Sequence, residues 1–410
     1  MFEKLKNATI YRNKYKTHSE AVIVSCFFNP QNSPYRLKAF NIFYDSIKHL
    51  NHRIIECVIG DSKPQLPENK NIQRVYTESL LWHKETLLNK VISELPEKFK
   101  YVFWIDADVI FTNLNWLVDG AKELETSNIV QPFDLCVHLD RDETKPALDL
   151  NKIRYHSRPN EVNNMIWRSF CSNYVKSVMW KSDDYNTHGH VGFAWGAKRE
   201  VLEKVPLYDR ALIGGADHII AHAAAGQINH KCITKSFTDN IDEVNEWSEK
   251  FYDVVRGKIG YVEGDLYHIW HGDIKKRQYL KRIQDFTPTT KTITEKDKNG
   301  LYVAKKEDEK YVKSYFDQRE VKSTDDGFLN SMMIGYMTDS TLLGTALGGN
   351  LSGAIMGDML NDSENIQQQP EQINKTIESL IEQSKEIPMD TIEIQPINDT
   401  TNLQDPDTFS

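Results

Sequence analysis

The chain is short of what several protein classes require. Among its 410 residues are five cysteines, Cys26, Cys57, Cys136, Cys171 and Cys232. They are odd in number, far apart and without a C-x-x-C pair. A disulfide framework and a cysteine zinc site are therefore not expected, and a reducing, cytoplasmic compartment is. No run of eighteen or more residues is cleanly apolar, so the catalytic part should be soluble. Residues 1–16 are rich in Lys and Asn and lack the apolar core of a signal peptide. Basic charge is not in excess either: the net charge is -9. Eleven Asp or Glu against two Lys from Asp362 onward account for it, which leaves residues 1–361 near neutral. A nucleic-acid binder needs a net basic face to meet phosphates, and none is legible here. A glycine-rich phosphate loop with a basic residue is also missing after the first apolar run. That place reads Asn29-Pro-Gln-Asn-Ser-Pro34, which weighs against a nucleotidyltransferase.

What is present is a series of short apolar runs alternating with helical patterns. Residues 21–28, 53–59, 72–76 and 101–105 read as strands. Leu37, Phe40, Phe43, Tyr44, Ile47 and Leu50 recur at helical spacing, as do Leu88, Val91, Ile92 and Leu95 within 82–95. Residues 261–270 read as a further strand. This alternation predicts an α/β fold with a mostly parallel central sheet, whose ligands bind beyond the carboxyl ends of the strands. The expected organisation is an N-terminal extension (1–20), a catalytic domain (21–285) and a polar helical and loop extension (286–330). A Gly-rich segment (331–360) and an acidic tail (361–410) of disorder-prone composition follow. Small residues at i, i+4 and i+8 in 342–360 make self-association or membrane contact possible there, as they do a plain flexible linker.

Three constellations carry chemistry. The first is Trp104-Ile-Asp106-Ala107-Asp108, at the end of the most apolar run. On an extended segment residues i and i+2 point the same way. Asp106 and Asp108 are thus expected to face one ligand, with Ala107 turned into the protein. Two such carboxylates repel unless a divalent cation joins them, and Mg²⁺ or Mn²⁺ prefers oxygen ligands and bridges to substrate phosphates. The second is Tyr267-His268-Ile-Trp270-His271-Gly272-Asp273-Ile-Lys275-Lys276. His271 reads as a metal ligand or as a structural histidine, and His268 as a packed residue or one that supports a ligand from behind. Lys275 and Lys276 could meet diphosphate oxygens or form a solvated basic face. The third is Ile213-Gly214-Gly215-Ala216-Asp217-His218 before an apolar helix, where Asp217 is either an N-cap or a general base. Further candidates take their roles only from the family resemblance that follows: Trp104 and Lys90 would lie on the donor side, with Glu56 or Asp61 at the base or ribose and Arg36 at phosphate, and Trp195, Gly196 and Gly215 on the acceptor side. The stretch Trp82-His83-Lys84-Glu85 is read only as a helix start.

Together, and in this order, these segments resemble the GT-A glycosyltransferases over residues 20–285. The D-x-D of Asp106 and Asp108 after Tyr101-Val-Phe-Trp-Ile105 is similar to that superfamily's nucleotide-sugar-binding half. The second half resembles the carboxyl-terminal half of the β-1,4-galactosyltransferase family. The matching stretches are Gly192-Phe-Ala-Trp195-Gly196-Ala-Lys198, then Gly214-Gly215-Ala216-Asp217, then His271 followed by Lys275-Lys276. The chain departs from that family in having Ala216 before Asp217, His218 after it, and Leu212-Ile213 ahead of the turn. The resemblance implies a GT-A fold and a hexosyltransferase using Mn²⁺ or Mg²⁺. It also implies a nucleotide-diphospho-sugar donor, expected to be UDP-linked, and a glycan, protein or lipid acceptor. By position, Asp108 and His271 would hold the metal, Asp106 would reach the ribose or the metal, and Asp217 would be the base of an inverting transfer. The alternative is a catalytically inactive nucleotide-sugar-binding protein of the same fold.

Overall fold

The computed structural model describes residues 14–141, 143, 166–176, 188–272, 274–277, 282–283, 285–286 and 292–318. All lie in the first of two compact units, Met1–Leu329. The Gly-rich segment and the acidic tail fall outside the described residues.

The strand readings hold closely. β1 (Ala21–Phe27), β2 (His52–Ile59), β3 (Ile72–Thr77) and β4 (Tyr101–Ile105) are all parallel, in the order β3-β2-β1-β4. Beyond β4 the sheet continues through β9 (Ala194–Lys198), β6 (Ile129–Gln131) and β10 (Ile259–Tyr261). β9 is antiparallel to both its neighbours, and β10 is parallel to β6. This is the mostly parallel, helix-flanked α/β architecture expected from the sequence.

Period-two alternation gives each face of the sheet its own core. Val22, Val24, Val102, Trp104, Trp195 and Ala197 face one way and join Leu87, Leu88, Val91 and Ile92 of α2 (Lys84–Ser93). Ala21, Ile23, Phe103, Ile105 and Ala194 face the other way. They meet Phe40, Phe43 and Ile47 of α1 (Pro34–Ile47) and Trp116, Leu117 and Leu124 of α3 (Trp116–Thr126). Later helices complete the first face. They include α6 (Ala216–Ala224) and α8 (Ile241–Val255), with α4 (Phe170–Val175), α5 (Arg199–Lys204) and α7 (Lys231–Thr234) between the strands and helices named.

Two boundaries differ from the sequence reading. The stretch 261–270 is not one strand. It breaks at Gly264, whose φ of +131° suits glycine, and resumes as β11 (Asp265–His268). β11 belongs to a second sheet, ordered β5-β11-β7-β8, with β5 (Val109–Phe111), β7 (Leu135–His138) and β8 (Ile166–Arg168). The described part of the expected polar extension is also packed into the main core. Phe286, Ile293, Leu301 and Tyr302 are buried there, together with Val312, Tyr315 and Phe316 of α9 (Lys306–Gln318). Among the described residues no helix is long and apolar enough to cross a membrane. None of the five cysteines is in a disulfide.

Candidate active site

β4 ends at Ile105, and the chain turns at once. The turn is tied on both sides: Asp106 N–H donates to Phe193 O at 2.7 Å, and Asp108 O accepts from Ile269 N–H at 2.8 Å. Ala107 packs against the core, as the alternation implied. The two carboxylates do not share one partner, as an extended D-x-D would have had them do. Asp106 Oδ1 lies 2.8 Å from Lys84 Nζ, and Asp108 Oδ2 lies 2.9 Å from His271 Nε2. The turn rotates the acids apart because the strand has already ended.

Asp108 faces the imidazole side. β5 runs antiparallel to β11 with His268 opposite Val109, which brings His268 and His271 beside the turn. One ligand atom from each of Asp108, His268 and His271 can be chosen so that all lie within 4.8 Å of one another. Asp106 is outside this group. Phe193, at a φ of +79°, lays its ring against His190 at 4.2 Å and His268 at 4.9 Å. Non-glycine residues seldom adopt that φ, and such backbone clusters at functional sites. His268 Nδ1 meets His138 Nδ1 at 3.3 Å, so its Nε2 is the atom left to face the turn. Arg277, in the short helix Ile274–Arg277, brings Nη2 to 2.9 Å from His271 Nε2 and 3.2 Å from His268 Nε2.

Electrostatics divide the labour. Burial alone would raise Asp108, but His268, His271 and Arg277 outweigh it and hold the carboxyl well below the usual range. Burial, helped by Arg277, lowers His271 to about 4. At neutral pH the pair is thus a carboxylate facing a neutral imidazole. Arg277 is always protonated and can only donate, so in the tautomer whose Nε2 accepts from it, rather than donating to Asp108, each ring presents a lone pair there. Asp108 Oδ1 is buried, with no hydrogen-bond partner among the described residues. A carboxylate oxygen left so, beside two imidazole lone pairs, fits a divalent cation. An octahedral ion with ligands at about 2.1 Å has edges of about 3 Å, matching the 2.9 Å between Asp108 and His271. A mixed carboxylate and imidazole set suits Mn²⁺ better than Mg²⁺, which prefers oxygen alone.

Asp217 faces the ammonium side. Trp82 N–H donates to Leu212 O at 2.8 Å, which lays the Gly-Gly turn against the start of α2. Lys84 Nζ then reaches Asp217 Oδ2 at 3.2 Å while holding Asp106. Burial would lower Lys84, but Asp106, Asp217 and Glu85 keep it charged far above neutrality. Burial, with Asp217 and Asp108 adding to it against Lys84, raises Asp106 to about 6. Burial likewise pushes Glu85 up to about 8. Asp217 is not an N-cap: that position is Gly215, at a φ of +105°, and Asp217 sits in the first turn of α6.

The remaining candidates are placed as follows. Trp104 and Trp195 form a cross-strand pair, are 2% and 1% exposed, and stack at 6.4 Å inside the core. Neither offers a ring face to a sugar, because that face of the sheet is covered by helices. Gly196 lies under the Phe103 ring, where a Cβ would come within 2.4 Å of it. At Gly215 a Cβ would meet Ile283 at 2.8 Å. Both glycines are needed for close packing. Lys90 pairs with Glu94 at 3.3 Å in the last turn of α2. Glu56 is buried and held by Arg74 at 3.0 Å. Lys275 lies in the short helix, with its side chain outside what is described. Sequence reasoning missed Lys84 and Arg277, and set His268 aside as packing.

No family model matches the chain, and no curated protein does. Among solved structures, glucosyl-3-phosphoglycerate synthase of Mycobacterium tuberculosis aligns at 10% identity and a TM-score of 0.30, over 71% of this chain and 83% of that one. That enzyme has been crystallised with Mn²⁺, UDP-glucose and phosphoglyceric acid. Mannosyl-3-phosphoglycerate synthase of Rubrobacter xylanophilus aligns at 10% and 0.30, over 71% and 77%. A putative glucose-1-phosphate thymidylyltransferase of Bacillus anthracis aligns at 11% and 0.28, over 67% and 96%. At those TM-scores the likenesses carry no argument about activity, which rests on the site itself.

Proposed function

We propose that the chain is a metal-dependent glycosyltransferase of the GT-A kind. It moves a hexose from a UDP-linked donor to an acceptor hydroxyl, with inversion. One observation carries this reading. The carboxylate of Asp108, with a buried oxygen that no described residue satisfies, meets two imidazoles at the carboxyl end of the central strand. Open α/β sheets bind ligands at that end.

Asp108, His271 and His268 would hold the ion. When bound, a divalent cation supplies Lewis-acid stabilisation to the departing nucleoside diphosphate. Arg277 donates to the same two nitrogens that such an ion needs, so ion and guanidinium compete for them. A guanidinium so placed also suits diphosphate oxygens, with its planar fork of donors. Lys84 holds Asp106 and Asp217 in fixed relation. Asp106 is then presented to the donor ribose. Asp217 accepts the proton of the acceptor hydroxyl as its oxygen attacks the anomeric carbon. The inversion and the base role extend the resemblance to β-1,4-galactosyltransferases.

The rival reading is a nucleotide-sugar-binding protein without transfer. The observation on its side is the ion pair between Lys84 and Asp217, which gives that carboxylate a structural task. UDP release from UDP-sugars, with Mn²⁺ and with or without candidate acceptors, separates the two. Metal-dependent release that Asp217→Asn suppresses while UDP-sugar binding persists supports transfer. Tight donor binding with no release under any condition overturns it.

A further inference from the structure

A second cluster lies outside the cleft machinery. We propose that His188, His218, His222 and Cys232 form a closed structural site for one Zn²⁺. One ligand atom from each can be chosen so that all four lie within 4.8 Å of one another. His218 and His222 are one turn apart on α6 and so share a face. His218 Nε2 lies 3.3 Å from His188 Nε2. A tetrahedral zinc with Zn–N bonds of about 2.0–2.1 Å has N···N edges of about 3.3–3.4 Å, the same spacing.

The surroundings orient the rings for ligation. His188 Nδ1 is 2.8 Å from Gly189 O, and His222 Nδ1 is 3.2 Å from Gln227 Oε1. A ring that donates through Nδ1 keeps its lone pair on Nε2, the arrangement that zinc-bound histidines show. His222 is 1% exposed, and its Nε2 has no hydrogen-bond partner among the described residues. A buried polar nitrogen in that state calls for a ligand. Phe170 sets its ring edge against His188 at 5.8 Å and His222 at 5.4 Å, closing one side with an apolar wall. His230 stacks on His222 at 4.3 Å, and its Nδ1 accepts from Cys232 N–H at 3.2 Å, which fixes the turn carrying the thiol.

Three imidazoles and a thiolate make the nitrogen and sulfur set of structural zinc, with all four positions taken by protein. The sequence argued against a cysteine zinc site because it has no C-x-x-C pair. The fold assembles one from three histidines on two segments and a single cysteine on a third. Zinc there would pin the chain before β9, the helix α6 and the short helix α7 to one another. Asp217 precedes His218 directly, so the same ion would steady the candidate base.

The test is metal analysis of the full chain purified from zinc-supplemented medium, then dialysed against excess Mn²⁺. About one zinc per chain should survive dialysis in the wild type and in Asp108→Ala, and be lost in His222→Ala and Cys232→Ser. Cobalt substituted into the wild type should give intense tetrahedral bands and a thiolate charge-transfer band, the latter absent from Cys232→Ser. Should the variants fail to fold, the wild-type cobalt spectrum decides alone. Wild-type protein without retained zinc and with only weak octahedral cobalt bands overturns the proposal. So does zinc that persists in both cluster variants and leaves with Asp108→Ala.

Discussion

Asp108, His268 and His271 present one carboxylate and two imidazoles, with a guanidinium competing for the same nitrogens. His188, His218, His222 and Cys232 present three imidazoles and a thiol, with an apolar wall on one side. The first cluster sits at the end of the central strand and would supply three protein ligands. An octahedral ion there would keep positions for phosphate oxygens. The second would supply four and leave a tetrahedral ion none. Histidine content therefore says little about what a metal site does. The partner groups and the number of open positions decide it.

The sharpest way to break this comparison is to remove a ligand from the open site. Asp108→Ala should lower Mn²⁺-dependent UDP release by roughly 10⁴-fold, since Lewis-acid stabilisation is worth several kcal/mol and each 1.36 kcal/mol is about tenfold. Chelation should match it and Mn²⁺ should restore the wild type, while the zinc of the closed site stays. Equal loss of both metals on brief chelation would erase the distinction. Asp217→Asn should be next, slowing turnover by about 10²–10⁴-fold, the range for general-base help. Its donor affinity, read by calorimetry with UDP-sugar and Mn²⁺, should not change. Wild-type rates in this variant would leave Asp217 only its ion pair with Lys84.

Arg277→Met sharpens the comparison from the other side. The guanidinium donates to both imidazole nitrogens that the ion needs. Removing hydrogen bonds that involve a charged group, worth about 1.5–3 kcal/mol, should tighten Mn²⁺ binding about tenfold or more in the absence of donor. The same change should raise the donor KM, because the diphosphate loses a cation. Unchanged Mn²⁺ affinity would mean that ion and guanidinium do not compete. Binding of zinc at the closed site should be indifferent to this substitution.

The sequence shows the frame of this molecule better than its contacts. β1 to β4 and their helices were legible because apolar periodicity reports burial, and burial is what the sheet needs. Asp106 and Asp108 were legible as candidates because they close the most apolar strand, but only Asp108 joins the imidazoles, while Asp106 is paired with Lys84. Their divergence was not legible, since it depends on a turn after Ile105 that is tied to Phe193 and Ile269, both far away in the chain. Lys84 was invisible for a different reason: its partner Asp217 is 133 residues away, and nothing local to Trp82-His83-Lys84 announces a charged bridge. Trp104 and Trp195 were misread because aromatic residues near a site suit both a core and a sugar platform. Only the pairing of β4 with β9 settles which. Of the closed set only His218 and His222, four residues apart on α6, carry a spacing signature. His188 and Cys232 join them through the chain entering β9 and through α7.

Smaller effects test the packing claims. Gly196→Ala should cost about 1–3 kcal/mol, the usual range for overpacking a core, because the new Cβ would press on Phe103. Thermal unfolding should show the loss while the donor KM stays put. A raised acceptor KM with unchanged stability would instead return Gly196 to the acceptor surface.

Lys90→Ala should do least. Lys90 is six residues beyond Lys84 on α2, or about 9 Å along the axis at 1.5 Å per residue. Its ammonium is engaged by Glu94 at 3.3 Å, one turn on, with its side chain 37% exposed. Such surface pairs contribute about 0.3–0.5 kcal/mol, so the melting temperature should shift only slightly. The donor KM should stay within about twofold, since the cations that act on His271 are Arg277 and Arg36 rather than Lys90. A tenfold rise in KM would place the diphosphate along α2 rather than at the strand ends, and the open site would then lose its claim to the donor.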